Sequence, residues 1–412
     1  MVWGMESTLD FLSHKWMVLK SEVHTRTCVS SALLLLAGTT LAGCASGART
    51  TVIGRGAGCS GKFPGWCSES WSKTYDSALR EWGFDKFVAG CPDDEGSFYA
   101  RGATRIAGKY DWYCESRSRY LALPARQGPL TAMGFFLAPR AQDLIGQAQW
   151  SSGAFSRSVR FDSGFYPLAD GECYVDFADP RVGGGVFRNG LAQEEKMFLQ
   201  LPELLVVVGE RNYNNRPLYL SSGNDGRHRN SDVMVFRNAV RPVPAVPKSV
   251  DLTCGRAPKS AWPCANFVAQ AGADSATVNV VAVNAQDFHD DGYYSATEFS
   301  FLERKVLAAF AAADEIGCRG LNSGPLGAGV FSGNLHLTVL LHAAASIAYE
   351  MPVKMWGMRE SQEVRTVVGW IEEGGSMPVG AVLQKLQQGV SWGHGRGMKD
   401  EVLLDRARWD AA

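Results

Sequence analysis

The sequence predicts an α/β fold, and three observations carry that expectation. Leu204–Val208 is an unbroken apolar run bounded by Gly209, the pattern of a strand buried on both faces. Thr297–Ala313 and Glu360–Ile371 repeat apolar residues at helical spacing. Between those two helices Val353–Trp356 reads as a short strand.

In chain order, residues 1–50 form a targeting or disordered segment. Ser30–Gly43 is a 14-residue apolar or small stretch, and it leads into Leu41-Ala42-Gly43-Cys44, which reads like a bacterial lipobox. The stretch is too short to span a membrane comfortably. A signal peptide needs a basic start, yet Glu6, Asp10 and Glu22 accompany Lys15, Lys20 and Arg26, and initiation at Met17 gives a better leader. Two readings stand: export with membrane anchoring through Cys44, making the protein secreted or lipid-anchored, or a disordered or mis-started tail on an intracellular protein. Residues 51–154 read as a small, mainly helical accessory subdomain, with one helix in Glu69–Trp82 and one or two more in Gly128–Gln149. Ser156–Phe161 reads as a strand leading into the sheet of a principal domain, residues 155–392. Gly393–Ala412 is polar and is expected to hang outside that domain.

Composition bounds the function. With 412 residues, 46% of them hydrophobic and 20% charged, the chain can bury a substantial core. A net charge of −1 gives no broad electrostatic footprint for nucleic acid, so DNA binding is not expected. The 45 glycines imply many loops, and no fixed-period repeat accompanies them. Apart from Cys28 and Cys44 eight cysteines remain, of which Cys254 and Cys264 are spaced to close a short loop. Disulfides and buried free thiols both remain open. No C-x-x-C pair or H-E-x-x-H pattern is present, so no metal is expected.

The chemistry concentrates in Gly183-Gly184-Gly185-Val186-Phe187-Arg188-Asn189-Gly190-Leu191-Ala192-Gln193-Glu194-Glu195. Asn189 is a good N-cap and Pro202 disfavours helix at Leu201, so a helix of about three turns is expected between them. At about 100° per residue Glu194 and Glu195 straddle the face of Leu191, Phe198 and Leu201, while Gln193, Lys196 and Gln200 point away. Desolvation raises the pKa of an inward carboxyl, and a like charge beside it raises one of the pair further, which makes a general acid near neutral pH. The glycine amides and the helix start offer donors to an anion such as a diphosphate. From the residues alone, a flexible turn ahead of a solvated acidic helix start explains the segment about equally well.

The run from Cys173 to Leu205, CYVDFADPRVGGGVFRNGLAQEEKMFLQLPELL, resembles the signature of the poly(ADP-ribose) glycohydrolase catalytic domain: V-D-F-A-N on a strand, G-G-G, a spacer, then Q-E-E and F-L-x-x-P-E-L. A second block agrees. Ser323-Gly324-Pro325-Leu326-Gly327-Ala328-Gly329-Val330-Phe331-Ser332-Gly333-Asn334 resembles that family's T-G-N-W-G-C-G-A-F-G-G-D, and it too precedes a helix, Leu335–Tyr349. Val278–Phe288 resembles the strand I-V-A-I-D-A-L-H-F, and Pro378–Leu386 a late V-G-x-x-Y-K-L-L helix. The likeness covers roughly Phe155–Val390 and implies a macrodomain-like fold, a mixed sheet flanked by helices.

The resemblance implies roles residue by residue. Glu195 matches the catalytic acid, Gln193 and Glu194 the groups that orient the ribose, and Asp176 a supporting acid. Gly183, Gly184 and Gly185, with Gly327, Gly329, Ser332 and Gly333, match the two loops that clasp the diphosphate, and Phe331 the loop aromatic against the ligand. Asp179 replaces the family's Asn, giving up a donor while still able to accept from sugar hydroxyls. Pro325 and Leu326 replace Asn and Trp. Tyr219 keeps the register of a substrate-covering tyrosine, whereas Arg216 stands where another is expected. The implied reaction is hydrolysis of ribose–ribose O-glycosidic bonds, with poly(ADP-ribose) or ADP-ribosylated protein as substrate and no cofactor. The alternative is a non-catalytic ADP-ribose reader or a decayed enzyme, against which two retained inward acids argue, because burying them is costly unless they are used.

Overall fold

The structure is a computed structural model that describes residues 67–75 (backbone only), 130–137, 145–180, 182–183, 186, 192–205, 220, 232–242 and 275–412. Cys44 and its apolar stretch, Gly184, Gly185, Tyr219, Arg216, Cys254 and Cys264 lie outside them. Among the described residues no helix is long and apolar enough to cross a membrane.

The core is an 8-stranded mixed sheet. In chain order its strands are β1 (Cys67–Tyr75), β2 (Leu130–Leu137), β3 (Val159–Asp162), β4 (Cys173–Ala178), β5 (Val233–Arg241), β6 (Ala276–Asn284), β7 (Leu321–Ser323) and β8 (Val353–Trp356). Their spatial order is β1-β2-β5-β6-β4-β7-β8-β3. From β1 to β6 neighbours are antiparallel, and from β6 through β4, β7 and β8 to β3 they are parallel. Among the described residues the helices with both ends placed are α1 (Ala154–Ser158), α2 (Gln193–Gln200), α3 (Ala296–Glu315), α4 (Leu335–Tyr349), α5 (Gln362–Glu373), α6 (Val379–Gln388) and α7 (Arg406–Ala411).

Strand periodicity decides what each face meets. Cys173 and Val175 join the core with Phe310 and Leu340 of α3 and α4, as do Leu321, Val353 and Met355 from the neighbouring strands. The alternate residues Tyr174, Asp176 and Ala178 of β4 therefore face the other way, on the side where chemistry is built. Helix α3 starts at a capping box in which Ser295 Oγ accepts from the Glu298 amide at 3.3 Å and Glu298 Oε2 from the Ser295 amide at 2.8 Å. Helix α4 is apolar nearly all round, as a helix buried between others must be, and its polar members are paired within the core. His342 Nδ1 donates to Thr338 O at 2.7 Å and its Nε2 accepts from Ser323 Oγ at 2.8 Å. That arrangement suits the neutral ring, because burial lowers the imidazole pKa to about 4. A disulfide joins Cys173, which opens β4, to Cys318 in the turn after α3, across 145 residues.

Several expectations need correction. Cys67–Tyr75 is a strand, not a helix: a bulge between Glu69 and Trp71 interrupts the two-residue alternation and leaves a spacing that imitates a helix. Leu130–Leu137 is likewise a strand, a short apolar run whose periodicity alone does not separate strand from buried helix. Of the described parts of 51–154, Cys67–Tyr75 and Leu130–Leu137 extend the sheet, Ile145–Gln147 is helical as expected, and Gln149–Trp150 pairs with Met377–Pro378 apart from that sheet; residues 76–82 lie outside the described residues. Ser156–Ser158 belongs to α1, and the strand begins at Val159. Leu204 closes a 3-10 turn, Pro202–Leu204, because Pro202 fixes the backbone in a turn just where the apolar run starts, while Val206, Val207 and Val208 of the expected strand lie outside the described residues.

The C-terminal segment is part of the fold. Val402–Leu404 pairs with Val390–Trp392, Asp405 Oδ1 caps α7 by accepting from Ala407 N at 3.0 Å, and Lys385 Nζ donates to Trp409 O at 2.8 Å. Average polarity hides this, since one indole and a set of hydrogen bonds do the anchoring. Trp409 is 2% exposed. Trp409→Ala should therefore cost about 3–5 kcal/mol, read as a lowered urea midpoint; an unchanged midpoint would mean that the segment does hang free.

Candidate active site

Helix α2 is shorter than its sequence suggests, 8 residues starting after Ala192. Ala192 has no side-chain acceptor, and Glu195 supplies the cap by reaching back so that its Oε2 accepts from Ala192 N at 2.5 Å. Glu194 and Glu195 are 5% and 7% exposed, so both acids face inward as expected. Gln193 does not point away. Its Nε2 donates to Val175 O at 3.0 Å and its Oε1 accepts from Phe177 N at 2.7 Å, clipping the helix start to β4. Gln200 is also buried, because so short a helix wedged beside the sheet has little free surface.

Glu194 organises the first loop. Its Oε1 accepts from Gly183 N at 2.5 Å and its Oε2 from Asp179 N at 3.1 Å, which folds the chain after β4 back over the carboxylate. Gly183 has φ 75°, a left-handed conformation that glycine adopts without steric cost. Asp176 lies 0% exposed on β4, and neither of its carboxyl oxygens has a hydrogen-bond partner among the described residues. Burial pushes its carboxyl up to about 8. Burial, and then the charge of Asp176, also hold Glu194 well above the ordinary carboxylate range, against the lowering effect of the Gly183 and Asp179 amides. These two acids therefore resist carrying full charge together at neutral pH.

The second loop follows β7. Gly327 has φ 73°, and a Cβ there would stand 2.6 Å from Ala285 Cβ, so glycine is required by conformation and by space. Gly333 N donates to Gly327 O at 2.8 Å and Ser332, at φ 59°, donates its amide to Gly329 O at 3.2 Å. Leu326 is 1% exposed in the core. Gly329 is different: it is exposed, and a Cβ there would meet nothing within 4 Å.

The two loops border a cleft of about 410 Å³, in the usual range for a small-molecule site. Asp179, Gln193, Glu194 and Glu195 line one side, Gly327, Gly329 and Phe331 the other. Asp176, Gly183, Ser332 and Gly333, also expected in the site, are not among the residues that line the cleft. Sequence reasoning missed four aromatic residues in the lining, Phe165, Tyr166, Phe177 and Trp356. Trp356 ends β8, and the carboxyl ends of parallel strands are where ligands bind in such sheets, so its position was the available signal. Asn284, at the matching end of β6, does not line the cleft; it is 1% exposed with Oδ1 unpartnered among the described residues. It pairs in register with Ala178 and so shares the face of Asp176.

No family model and no curated protein matches the chain. Among solved structures it is similar to a Thermomonospora curvata poly(ADP-ribose) glycohydrolase bound to the inhibitor ADP-HPD, with 14% identity, TM-score 0.33, and 67% of this chain and 99% of that one covered. The Deinococcus radiodurans poly(ADP-ribose) glycohydrolase in complex with ADP-ribose gives 14% identity, TM-score 0.29, and coverage of 60% and 92%. An alphavirus chain, P23pro-zbd, gives 13%, 0.28, and coverage of 55% and 23%. At such identities the chemistry has to be argued from the cleft of this chain.

The Asp176 burial has a testable sign. An acid whose folded pKa is raised binds more protons folded than unfolded between its two pKa values, so its stability contribution falls as pH rises from about 4 toward 8. Asp176→Asn mimics the protonated form. Its stability relative to the parent chain, from urea titrations, should rise steadily across that window; a flat difference would mean that Asp176 ionises normally.

Proposed function

We propose that the protein is a poly(ADP-ribose) glycohydrolase, hydrolysing the ribose–ribose O-glycosidic bonds of the polymer, free or carried on ADP-ribosylated protein, to release ADP-ribose. The observation that carries this reading is the pair Glu194–Glu195, buried at a helix start where a two-loop cleft opens, with the two carboxylates held differently. Both oxygens of Glu194 are engaged by backbone amides. Glu195 has only Oε2 engaged among the described residues, and it lines the cleft. The free oxygen makes Glu195 the group able to exchange a proton with a bound substrate.

In the reaction, the Glu195 carboxyl donates its proton to the 2′-oxygen of the leaving ribose as the glycosidic C–O bond breaks and positive charge develops at the anomeric carbon. The carboxylate then takes a proton from water while the water oxygen bonds to that carbon. Glu195 is regenerated and a free hydroxyl remains on each product. Glu194 keeps lone pairs beyond those used by the two amides, enough to accept from ribose hydroxyls. Asp179 lines the same wall, and the amides of Gly329, Val330 and Phe331, which make no hydrogen bond among the described residues, suit a diphosphate. Aromatic side chains in the lining supply the apolar surface that a nucleoside covers.

Two variants test this. Gly329→Val has room in the free protein, so stability should hold, while ADP-ribose affinity by calorimetry should fall if the diphosphate lies on this loop; unchanged affinity removes the loop from the site. Glu195→Gln preserves shape and should slow release of ADP-ribose from the polymer by about 10²–10⁴-fold with affinity nearly intact. Equal rates in the two proteins would sink the assignment of the acid, and binding without cleavage by the parent chain would make it a reader.

A further inference from the structure

We propose that Asn334, together with the C-terminal segment Gly393–Glu401 that it grips, is a positioning element of the ligand site, holding the second loop in its binding shape. The proposal rests on the cleft being a diphosphate site, as argued above.

Asn334 is 0% exposed and uses its whole amide. Oδ1 accepts from Leu337 N at 3.0 Å and caps α4. Nδ2 donates to Gly393 O at 3.1 Å and to Glu401 O at 2.9 Å, the two sides of a turn closed by Gly393 N donating to Glu401 O at 2.9 Å. The grip extends along the loop. Gly395 N donates to Ser332 O at 2.8 Å, Leu335 N to Lys399 O at 3.3 Å, and Phe288 N to Phe331 O at 3.0 Å. The Phe288 ring in turn stacks on His394 with centroids 4.1 Å apart. Thus Phe331, Ser332, Asn334 and Leu335 are all tied at the rear, while Gly329 and Val330 stay exposed at the cleft, Val330 at 75%.

The side-chain chemistry explains why asparagine stands here. The motif that this loop resembles ends in aspartate. An aspartate would cap α4 equally well, but a carboxylate has no hydrogen to give, and here it would face two carbonyl oxygens. Asparagine satisfies the cap and both carbonyls at once. A loop whose backbone amides must meet a diphosphate binds more tightly when its shape is fixed beforehand, because less ordering is left to the binding step.

Asn334→Asp is the test, because it keeps the cap and removes both donors. Calorimetry with ADP-ribose should show affinity reduced by roughly tenfold or more, as two lost buried hydrogen bonds would allow. Amide hydrogen exchange should quicken across Gly327–Gly333 while α4 keeps its protection. Ile371→Val, a mild core change in α5, serves as the control for general destabilisation and should leave both readouts unmoved. Should Asn334→Asp not fold, Asn334→Ser carries the same test, retaining a cap with at most one donor. Unchanged affinity and exchange, or an equal loss in Ile371→Val, overturns the proposal. If the parent chain binds no ADP-ribose, the cleft has been misread, and the exchange comparison still decides whether Asn334 holds the loop.

Discussion

The constraint on which the site depends is the cost of burying carboxyl groups. Asp176, Glu194 and Glu195 are all nearly inaccessible to water, and a carboxyl group in such a place must be hydrogen-bonded or paired when ionised, or else stay protonated. The chain uses two of these answers. Glu194 takes two backbone amides, which requires the turn after β4 to bring Gly183 N and Asp179 N to one carboxylate. Asp176 takes no hydrogen bond among the described residues and keeps its proton instead, up to about pH 8. The left-handed glycine, the late start of α2 and the path of the first loop follow from meeting these demands together.

The sheet makes the arrangement possible. In its parallel block the carboxyl ends of β4, β6, β7 and β8 lie side by side, so Asp176, Asn284, Ser323 and Trp356 come to one edge although they are far apart in sequence. Helices α3 and α4 take the other face of β4 and fill it with apolar side chains. The second loop is held from behind by the segment that follows the last long helix. The cleft is therefore framed by regular elements, with Gly329 and Val330 of the second loop exposed toward a ligand.

Much of this was legible in the residues. Glu194 and Glu195 were expected to face inward, because helical spacing puts them beside Phe198 and Leu201. Helix α4 and strand β8 were expected at the bounds they have, since each is a strongly apolar segment with clear ends. Other features were hidden for physical reasons. A bulge disguised β1, and uniform hydrophobicity disguised β2. Helical periodicity turns Gln193 outward, but a helix only two turns long is governed by what its first residue must clip to. The C-terminal segment looked dispensable because its anchoring lies in main-chain hydrogen bonds and one indole, neither of which alters composition. The Cys173–Cys318 pairing could not emerge from spacing, because only the folded sheet brings together residues 145 apart.

The most direct measurement is a crystal structure of the protein with ADP-ribose. The diphosphate should lie between the Gly183 turn and the Gly327–Gly333 loop, with the ribose hydroxyls within hydrogen-bonding distance of Glu194 and the anomeric carbon beside Glu195. A nucleotide bound elsewhere, or a cleft left empty at millimolar ADP-ribose, would contradict the assignment of this site.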